Sequence, residues 1–599
     1  MNQVANGRDD GYPAEEEWKR DPAYTPVALR SHAWFGAPGK LGSHHRSKLY
    51  SEGLRESAFD GRPVIGICNT ASELNPCNLH NTRLAESVRR GVLQAGGTPF
   101  VFPTISIGEP LARPTAMILR NLMAMDVEEM IRTHPLDAVV LLGGCDKTTP
   151  ALVMGAVSAD IPCIVVTSGP MVAGCFRGRE VGAGTDLWKV AEEVRSGQRP
   201  PSDLHELERA QSRSYGHCNT MGTASTMACM VELLGLSLPG AAALGSVEAG
   251  RLALAEESGS RAVELALEDL RPSRILDGSS FRNAITGLAA LSGSTNAIIH
   301  LLAIAGRAEV ELSLEDFDTT SRSVPVLVDV KPAGEYLMQE MADAGGVPAL
   351  VTRLSPLLDL NARTVTGKSL GDNCASAQVW NPRVIRTLDD PVAPAGSGLR
   401  VLRGNLAPDG AVIKPAAATA ELGESRSRAR VFDAIEDYLR AADDPDADFE
   451  PTDAIIVRGA GPVGYPGMPE IGNLPIPRSC LAQGVRDMVR ITDARMSGTA
   501  FGTVVLHVSP EASVGGPLAA VRDGDPIELS LKAGVIRVDL PPQEWQARLD
   551  DLSPAAVPGG ALGGGYTGLY RRTVQQAPRG ADLDFLVGRR PCKIPRRSA

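Results

Sequence analysis

Asp137-Ala138-Val139-Val140-Leu141-Leu142-Gly143-Gly144-Cys145-Asp146-Lys147-Thr148-Thr149-Pro150 decides the fold class. Asp137 to Leu142 is an almost continuous apolar run of strand length, which reads as a strand buried on both faces. A short polar turn follows, and Pro150 is suited to the first turn of a helix. Strand, turn and helix in immediate succession form the unit of an α/β fold. Working outward, Pro63 to Asn69 reads as a second buried strand. Leu84, Val88 and Val92 mark a helix closed by Gly96-Gly97, and Cys163 to Thr167 supplies another strand. This alternation, from about residue 60 to about 310, predicts an N-terminal α/β domain with a largely parallel sheet.

Beyond about residue 390 the pattern changes to short β-rich runs separated by Gly and Pro: Leu399 to Arg403, Ala454 to Val457, Thr503 to Val508 and Val535 to Leu540. They predict a C-terminal, mostly β domain, a barrel or a sandwich. The expected division is a flexible arm over 1–30, an α/β domain over 31–390 and a β-rich domain over 391–599. The boundary is expected in the Pro-, Gly- and Ala-rich stretch Asp389 to Gly398. No internal repeat is found.

A chain of 599 residues exceeds one ordinary core. Its formal net charge of −11 argues against a dedicated nucleic-acid or anionic-membrane surface. The basic tail, Arg589-Arg590 and Lys593 to Arg597, is expected to be a solvated terminus. No run approaches the ~18 apolar residues of a membrane span; Ala297 to Ala305 is interrupted by His300 and ends at Gly306. Met1 to Arg20 has no apolar core like that of a secretory signal. The expected setting is the cytoplasm, where the 10 cysteines stay reduced.

Seven of those cysteines, Cys68, Cys163, Cys175, Cys229, Cys374, Cys480 and Cys592, have no special setting and read as filler. The other three stand just before predicted helices. Cys77 lies in Asn75-Pro76-Cys77-Asn78, Cys145 in the turn quoted above and Cys218 in Gly216-His217-Cys218-Asn219. The helix after Cys218 carries its apolar face on Met227, Met230, Val231 and Leu234. Helix N-termini favour thiolates, and thiolates ligate iron–sulfur clusters. On spacing alone, plain core cysteines remain the ordinary reading, because there is no CxxC.

Gly144-Cys145-Asp146-Lys147-Thr148-Thr149-Pro150 resembles the first signature of the dihydroxyacid and phosphogluconate dehydratase family. Pro76-Cys77-Asn78 and Gly216-His217-Cys218-Asn219-Thr220-Met221-Gly222-Thr223-Ala224-Ser225-Thr226 resemble its other two cluster-ligand segments. Ile491-Thr492-Asp493-Ala494-Arg495-Met496-Ser497-Gly498-Thr499 is similar to its second signature. The resemblance runs from about residue 30 to about 588. Cys218 to Thr226 follows the sugar-acid branch, and Arg403 to Pro408 and Thr503 to Leu518 resemble L-arabinonate dehydratases. One departure is Ser292-Gly293-Ser294-Thr295-Asn296, where the family usually has Gly at the first position.

The resemblance implies a hydro-lyase that converts an aldonate, L-arabinonate before D-xylonate or a branched dihydroxy acid, to a 2-keto-3-deoxy acid. It implies that Cys77, Cys145 and Cys218 hold a [2Fe–2S] cluster, with [4Fe–4S] the alternative. Glu109, Asp146 and Glu470 would ligate Mg²⁺, with Lys147 carbamylated beside them, since a free ammonium repels the ion and a carbamate offers an anionic oxygen. Ser497 would be the base that takes the C2 proton and Thr499 would orient it. The site would lie between the two domains, and the enzyme would be a homodimer or homotetramer.

Two other motifs fail on inspection. Gly459-Ala460-Gly461-Pro462-Val463-Gly464 satisfies the dinucleotide pattern, but Pro462, Pro466, Gly467 and Pro469 prevent the helix that a pyrophosphate site needs. Asp444-Pro445-Asp446-Ala447-Asp448 has Phe449 and Ile455 where a Ca²⁺ loop needs Gly and Glu. It reads as an acidic solvated loop.

Overall fold

The computed structural model describes residues 28–552 and 563–593. The arm expected over residues 1–30 therefore lies outside the described residues except for its last three. Four strands, β1 (Val64–Asn69), β2 (Thr98–Pro103), β3 (Ala138–Gly143) and β4 (Cys163–Thr167), form an all-parallel sheet in the order β2-β1-β3-β4. The interior strands β1 and β3 are buried almost throughout, as their unbroken apolar runs require. The edge strand β2 alternates between half-buried and exposed positions beyond its first two residues.

After a small hairpin of β5 (Gly174–Phe176) and β6 (Arg179–Val181), the strands of this half end. From Thr185 to Cys374 the described elements are helices, so the predicted alternation stops well before residue 310. Two of these helices, Thr223–Leu233 and Asn296–Ala308, are enclosed on nearly all sides. Their apolar runs come from all-round burial, and the one-sided face expected on Met227, Met230, Val231 and Leu234 is only part of a fully buried surface.

The C-terminal half closes into an eight-stranded barrel. Its strands are β7 (Arg400–Gly404), β8 (Ala407–Ile413), β9 (Glu424–Phe432), β10 (Ala454–Val457), β11 (Val489–Thr492), β12 (Val504–Ser509), β13 (Pro526–Ser530) and β14 (Val535–Val538). The order around the barrel is β10-β11-β12-β8-β7-β14-β13-β9, and β9 pairs back onto β10. Closure leaves no strand edge unpaired. Side chains alternate as the pleat dictates: Ala454 and Ile456 of β10 fill the barrel with Leu402, Ile491 and Ile536. Ile455 and Val457 point the other way, into a layer built on Tyr438 and Phe449.

The basic tail is tied down in part, against expectation. Arg590 makes a bidentate pair with the buried Glu128, and Arg589 pairs with Glu309. Arg307, paired more closely with Asp582, and Arg132 stand 3.5 and 3.8 Å from Glu128, so Arg590 supplies the direct partner of a carboxylate that has almost no access to water. Among the described residues no helix is long and apolar enough to cross a membrane.

One close approach fixes how the first βα unit packs. The helices Asn81–Gln94 and Ala249–Glu268 meet at Gly91 and Gly259. A Cβ on Gly91 would run into the Glu256 carbonyl, and one on Gly259 into the Val88 carbonyl. Gly91→Val should therefore destabilise the fold by ~1–3 kcal/mol or more. Gly250→Ala, on an unobstructed helical position, should be neutral or slightly stabilising. Denaturant unfolding of the two variants checks this, and equal midpoints would contradict it.

Candidate functional site

The site is assembled from loops that leave the carboxyl ends of parallel strands. The chain leaving β1 carries Cys77, the chain leaving β2 carries Glu109, and the turn after β3 carries Cys145, Asp146 and Lys147. Beyond β4, the Met171 N–H donates to the His217 carbonyl and the His217 N–H to the Gly169 carbonyl. This short ladder brings in Cys218. From the barrel, the loop after β10 carries Glu470 and the loop after β11 carries Ser497 and Thr499.

The turn after β3 is held by local hydrogen bonds. The Asn78 carboxamide accepts from the Gly144 N–H at 2.9 Å, and Thr148 Oγ1 accepts from the Cys145 N–H at 2.8 Å. The helix that follows spans Thr148–Ala159, with Pro150 in its first turn as expected. Cys77 and Cys218 likewise precede the helices Asn81–Gln94 and Thr223–Leu233.

Glu109, Asp146 and Glu470 each offer an oxygen within 4.8 Å of the others. Lys147 Nζ, wholly buried, stands among them at 2.6 Å from Asp146, 2.9 Å from Glu470 and 3.2 Å from Glu109. Burial and Arg495 both work against its charge, yet the three carboxylates outweigh them and hold the ammonium above its ordinary range. Burial pushes the Glu109 carboxyl up in spite of Lys147. Glu470 is also penalised by burial, but Lys147, Arg495 and the Asn296 amide draw it below the carboxylate range.

Three residues that the sequence left without a role complete this cluster. Arg495 is fully buried, donates to Glu470 Oε1 at 2.9 Å, to Thr115 Oγ1 at 3.1 Å and to the Met468 carbonyl at 2.6 Å. Thr115 in turn donates to Glu109. Asn296 Nδ2 donates to Glu470 Oε1 at 2.7 Å and to Thr223 Oγ1 at 3.0 Å. The Arg495 main chain also bonds to both sides of Glu470, at Pro469 and Gly472. Arg495 and Asn296 both lie in motifs noted in the sequence, and a charge count could have found the arginine: three carboxylates around one lysine call for a second cation.

The three cysteines converge beside Asp146. Cys145 Sγ lies 3.3 Å from Asp146 Oδ1. Contact with Cys77, and then burial, pushes the Cys145 thiol well up, while burial followed by the Cys77 and Asp146 charges pushes Cys218 to about 12. The thiolate preference read from the helix starts is thus outweighed at Cys145 by the Cys77 contact and burial, and at Cys218 by burial. Of the seven cysteines read as filler, Cys68, Cys163, Cys229, Cys374 and Cys480 are buried, Cys592 is half-buried and Cys175 is exposed on β5.

Ser497 is half-buried, and its Oγ lies 3.0 Å from Thr499 Oγ1 and 3.4 Å from the Thr499 N–H. The dinucleotide-like loop is occupied by the chain itself. Asp493 accepts from the Gly459 and Ala460 N–H groups, and Glu511 from those of Val463 and Gly464. The next helix after this loop begins only at Arg478. Asp444, Asp446 and Asp448 are exposed, as an acidic surface loop should be.

Family models described as the N-terminal and C-terminal parts of dihydroxy-acid/6-phosphogluconate dehydratase match residues 62–373 and 383–581. An L-arabonate dehydratase of Azospirillum brasilense is 52% identical over 96% of this chain and 99% of its own. An L-arabinonate dehydratase of Rhizobium leguminosarum bv. trifolii is 49% identical over 94% and 97%. A D-xylonate dehydratase of Caulobacter vibrioides is 36% identical over 94% and 96%.

The departure at Ser292 has a local cost. Its φ is 45°, the left-handed region, and its buried hydroxyl has no hydrogen-bond partner. Glycine adopts that backbone without strain, which accounts for its usual presence there. The Ser292 carbonyl accepts from Lys414 Nζ at 3.1 Å, and burial pushes that lysine down to about 8. Ser292→Gly should raise the thermal unfolding midpoint by relieving strain and an unsatisfied hydroxyl, ~1 kcal/mol net of the added chain entropy. Ser292→Ala, which keeps the strained Cβ, should recover only part of that gain, and a fall in the Ser292→Gly midpoint would contradict this account.

Proposed function

The chain belongs to the dihydroxy-acid/6-phosphogluconate dehydratase family, and on that premise we propose that it dehydrates an aldonate, L-arabinonate foremost, to a 2-keto-3-deoxy acid. The observation that carries this reading is the meeting of three carboxylates, three thiols and a hydroxyl pair where the parallel sheet and the barrel adjoin. The L-arabonate and L-arabinonate dehydratases above, alike over nearly the whole chain, support the choice of substrate.

The donor sets fit the two inorganic groups that such chemistry uses. Three clustered carboxylate oxygens suit a hard divalent ion such as Mg²⁺. Lys147 as an ammonium would repel that ion, and as a carbamate it would add an anionic oxygen, so the set fits Mg²⁺ with Lys147 carbamylated. Cys77, Cys145 and Cys218 supply three thiolate ligands for a [2Fe–2S] cluster. When bound, Mg²⁺ provides a Lewis acid for the substrate carboxylate and 2-hydroxyl, and a three-cysteine cluster provides one for the departing 3-hydroxyl.

The chain's own part is to position these groups and move a proton. Arg495 and Asn296 engage Glu470 through the same oxygen, Oε1, which leaves Oε2 free to act as a ligand. Ser497 Oγ removes the C2 proton. The Thr499 hydroxyl and N–H, both turned toward that oxygen, stabilise the alkoxide that does so. Loss of the C2 proton and of hydroxide from C3 leaves an enol, which gains a proton at C3 and loses the one on its C2 oxygen to become the keto acid.

A keto-acid assay over L-arabinonate, D-xylonate and a branched dihydroxy acid tests the substrate. The highest kcat/KM should fall on L-arabinonate, and preference for the branched acid would overturn the assignment. Ser497→Ala should keep KM and iron content but lose ~10²–10⁴-fold in kcat, the usual size of a general-base contribution.

The ligand assignment has its own test. Cys145→Ser should lose iron and acid-labile sulfide, whereas Cys592→Ser should retain both. Full cluster content in the Cys145→Ser protein would remove Cys145 from the ligand set.

A further inference from the structure

Thr499 belongs to the barrel half, but its surroundings come from the other half. Gly184 has φ 85°, and a Cβ there would collide with Thr499 Oγ1; one on Gly222 would stand 2.9 Å from Thr499 Cγ2. The helix Thr185–Arg195 starts directly after Gly184. Its first residue, Thr185, donates its hydroxyl to the Thr499 carbonyl at 2.8 Å, and one turn later the Trp188 indole N–H lies 3.0 Å from Thr499 Oγ1. Backbone, methyl and hydroxyl of Thr499 are therefore all held by this one segment.

The indole occupies one of the two lone pairs of Thr499 Oγ1, and the direction of the remaining hydrogen bond follows from the role of Ser497. Between Ser497 Oγ and Thr499 Oγ1, 3.0 Å apart, either hydroxyl could donate. An indole nitrogen only donates, so Thr499 Oγ1 accepts from Trp188. Among the described residues the other hydrogen-bond partner of Thr499 Oγ1 is Ser497 Oγ. Ser497 acting as the base has no proton to give, so the threonine proton is directed at the serine oxygen, which also faces the Thr499 N–H at 3.4 Å. A donor aimed at an oxygen that becomes ionised is worth more as the charge develops than before it.

We propose that Trp188 is a positioning residue for proton abstraction: through Thr499 Oγ1 it turns the threonine hydroxyl onto Ser497 Oγ and supports that oxygen as the base. The proposal rests on the reading of Ser497 as the base and extends it to a residue 311 positions before Thr499 in sequence. The spacing Thr185, Trp188 is one helical turn, so the hydroxyl and the indole act from the same face.

The test uses the full-length holoenzyme with iron content matched between variants. Trp188→Phe keeps a ring in place and removes only the donor. It should lower kcat roughly tenfold, the scale of one hydrogen bond felt mainly in the transition state, with KM within about twofold. Thr499→Val should lower kcat further, and Thr499→Ser, which restores the hydroxyl, should recover most of the loss. In the Thr499→Val background, Trp188→Phe should add nothing, because the relay is already cut. An unchanged kcat in Trp188→Phe, an effect confined to KM, or the same tenfold loss in the Thr499→Val background would overturn the proposal. Ser497→Ala in the same series separates the two readings. If that variant is inactive while Trp188→Phe is fully active, the relay alone fails; if it turns over at near the parent rate, the base assignment fails and the relay with it.

Discussion

Lys147 Nζ, shut off from water, is in contact with three carboxylates, two supplied by the parallel-sheet half and one by the barrel half. With Lys147 as an unmodified ammonium and Arg495 beside it, the cluster holds three potential negative charges against two positive ones. Lys147 and Arg495 are fully buried and the carboxylates mostly buried, so water screens the cluster weakly and each group depends on the others. Removing one partner of such a buried network typically costs ~3–5 kcal/mol, because the remaining charge is left without compensation. Burial is the main cause of the upward push on Glu109, which Lys147 opposes and the neighbouring Glu470 and Asp146 charges reinforce. The junction of the two halves is therefore fixed by electrostatics as well as by apolar packing. Contacts such as Asn296 to Glu470 and Arg495 to Thr115 cross the same junction.

Both halves meet this demand by one construction. In a parallel sheet all strands deliver their following loops to one edge, which is where open α/β sheets form their sites. Strands β1, β2 and β3, and the ladder beyond β4, present the cysteines, Glu109, Asp146 and Lys147 along that edge. The barrel is mixed, but β9, β10, β11 and β12 are mutually parallel, and it is the loops after β10 and β11 that bring Glu470 and Ser497. Polar loops from six strand ends thus gather in one place while the strands themselves stay apolar.

What the sequence revealed and what it concealed follow from this. The strands β1, β3, β4 and β10 are buried on both faces, so their runs of Val, Ile and Leu are conspicuous. Strands β8, β9, β11 and β13 passed unnoticed. β9 reads Glu424-Ser425-Arg426-Ser427-Arg428-Ala429-Arg430-Val431-Phe432, and only Ser427 and Ala429 are buried. In a closed barrel one face of such a strand meets a tapering interior that accepts small residues, and the other can carry arginines. The site motifs were legible because each is local. Arg495 was visible as a letter in a motif but not as the partner of Glu470, and Trp188 gave no signal, because its meaning arises only from contact with Thr499.

The cysteines and the serine pose one chemical problem in two forms. In the proposed roles each must lose a proton, and at Cys145 and Cys218 burial opposes the anion. Position before a helix does not solve it for Cys145 and Cys218, whose thiols burial and neighbouring negative groups drive upward. A thiolate there needs a cation bound directly to sulfur, which is what iron supplies to a coordinated cysteine. Ser497 is provided for differently: two donors of one residue face its oxygen, and the half across the junction holds that residue by its carbonyl, methyl and hydroxyl. The polypeptide thus fixes where charge can form, and it does so before any charge is present. That is the condition under which a hydrogen bond lowers a barrier without first having to reorganise.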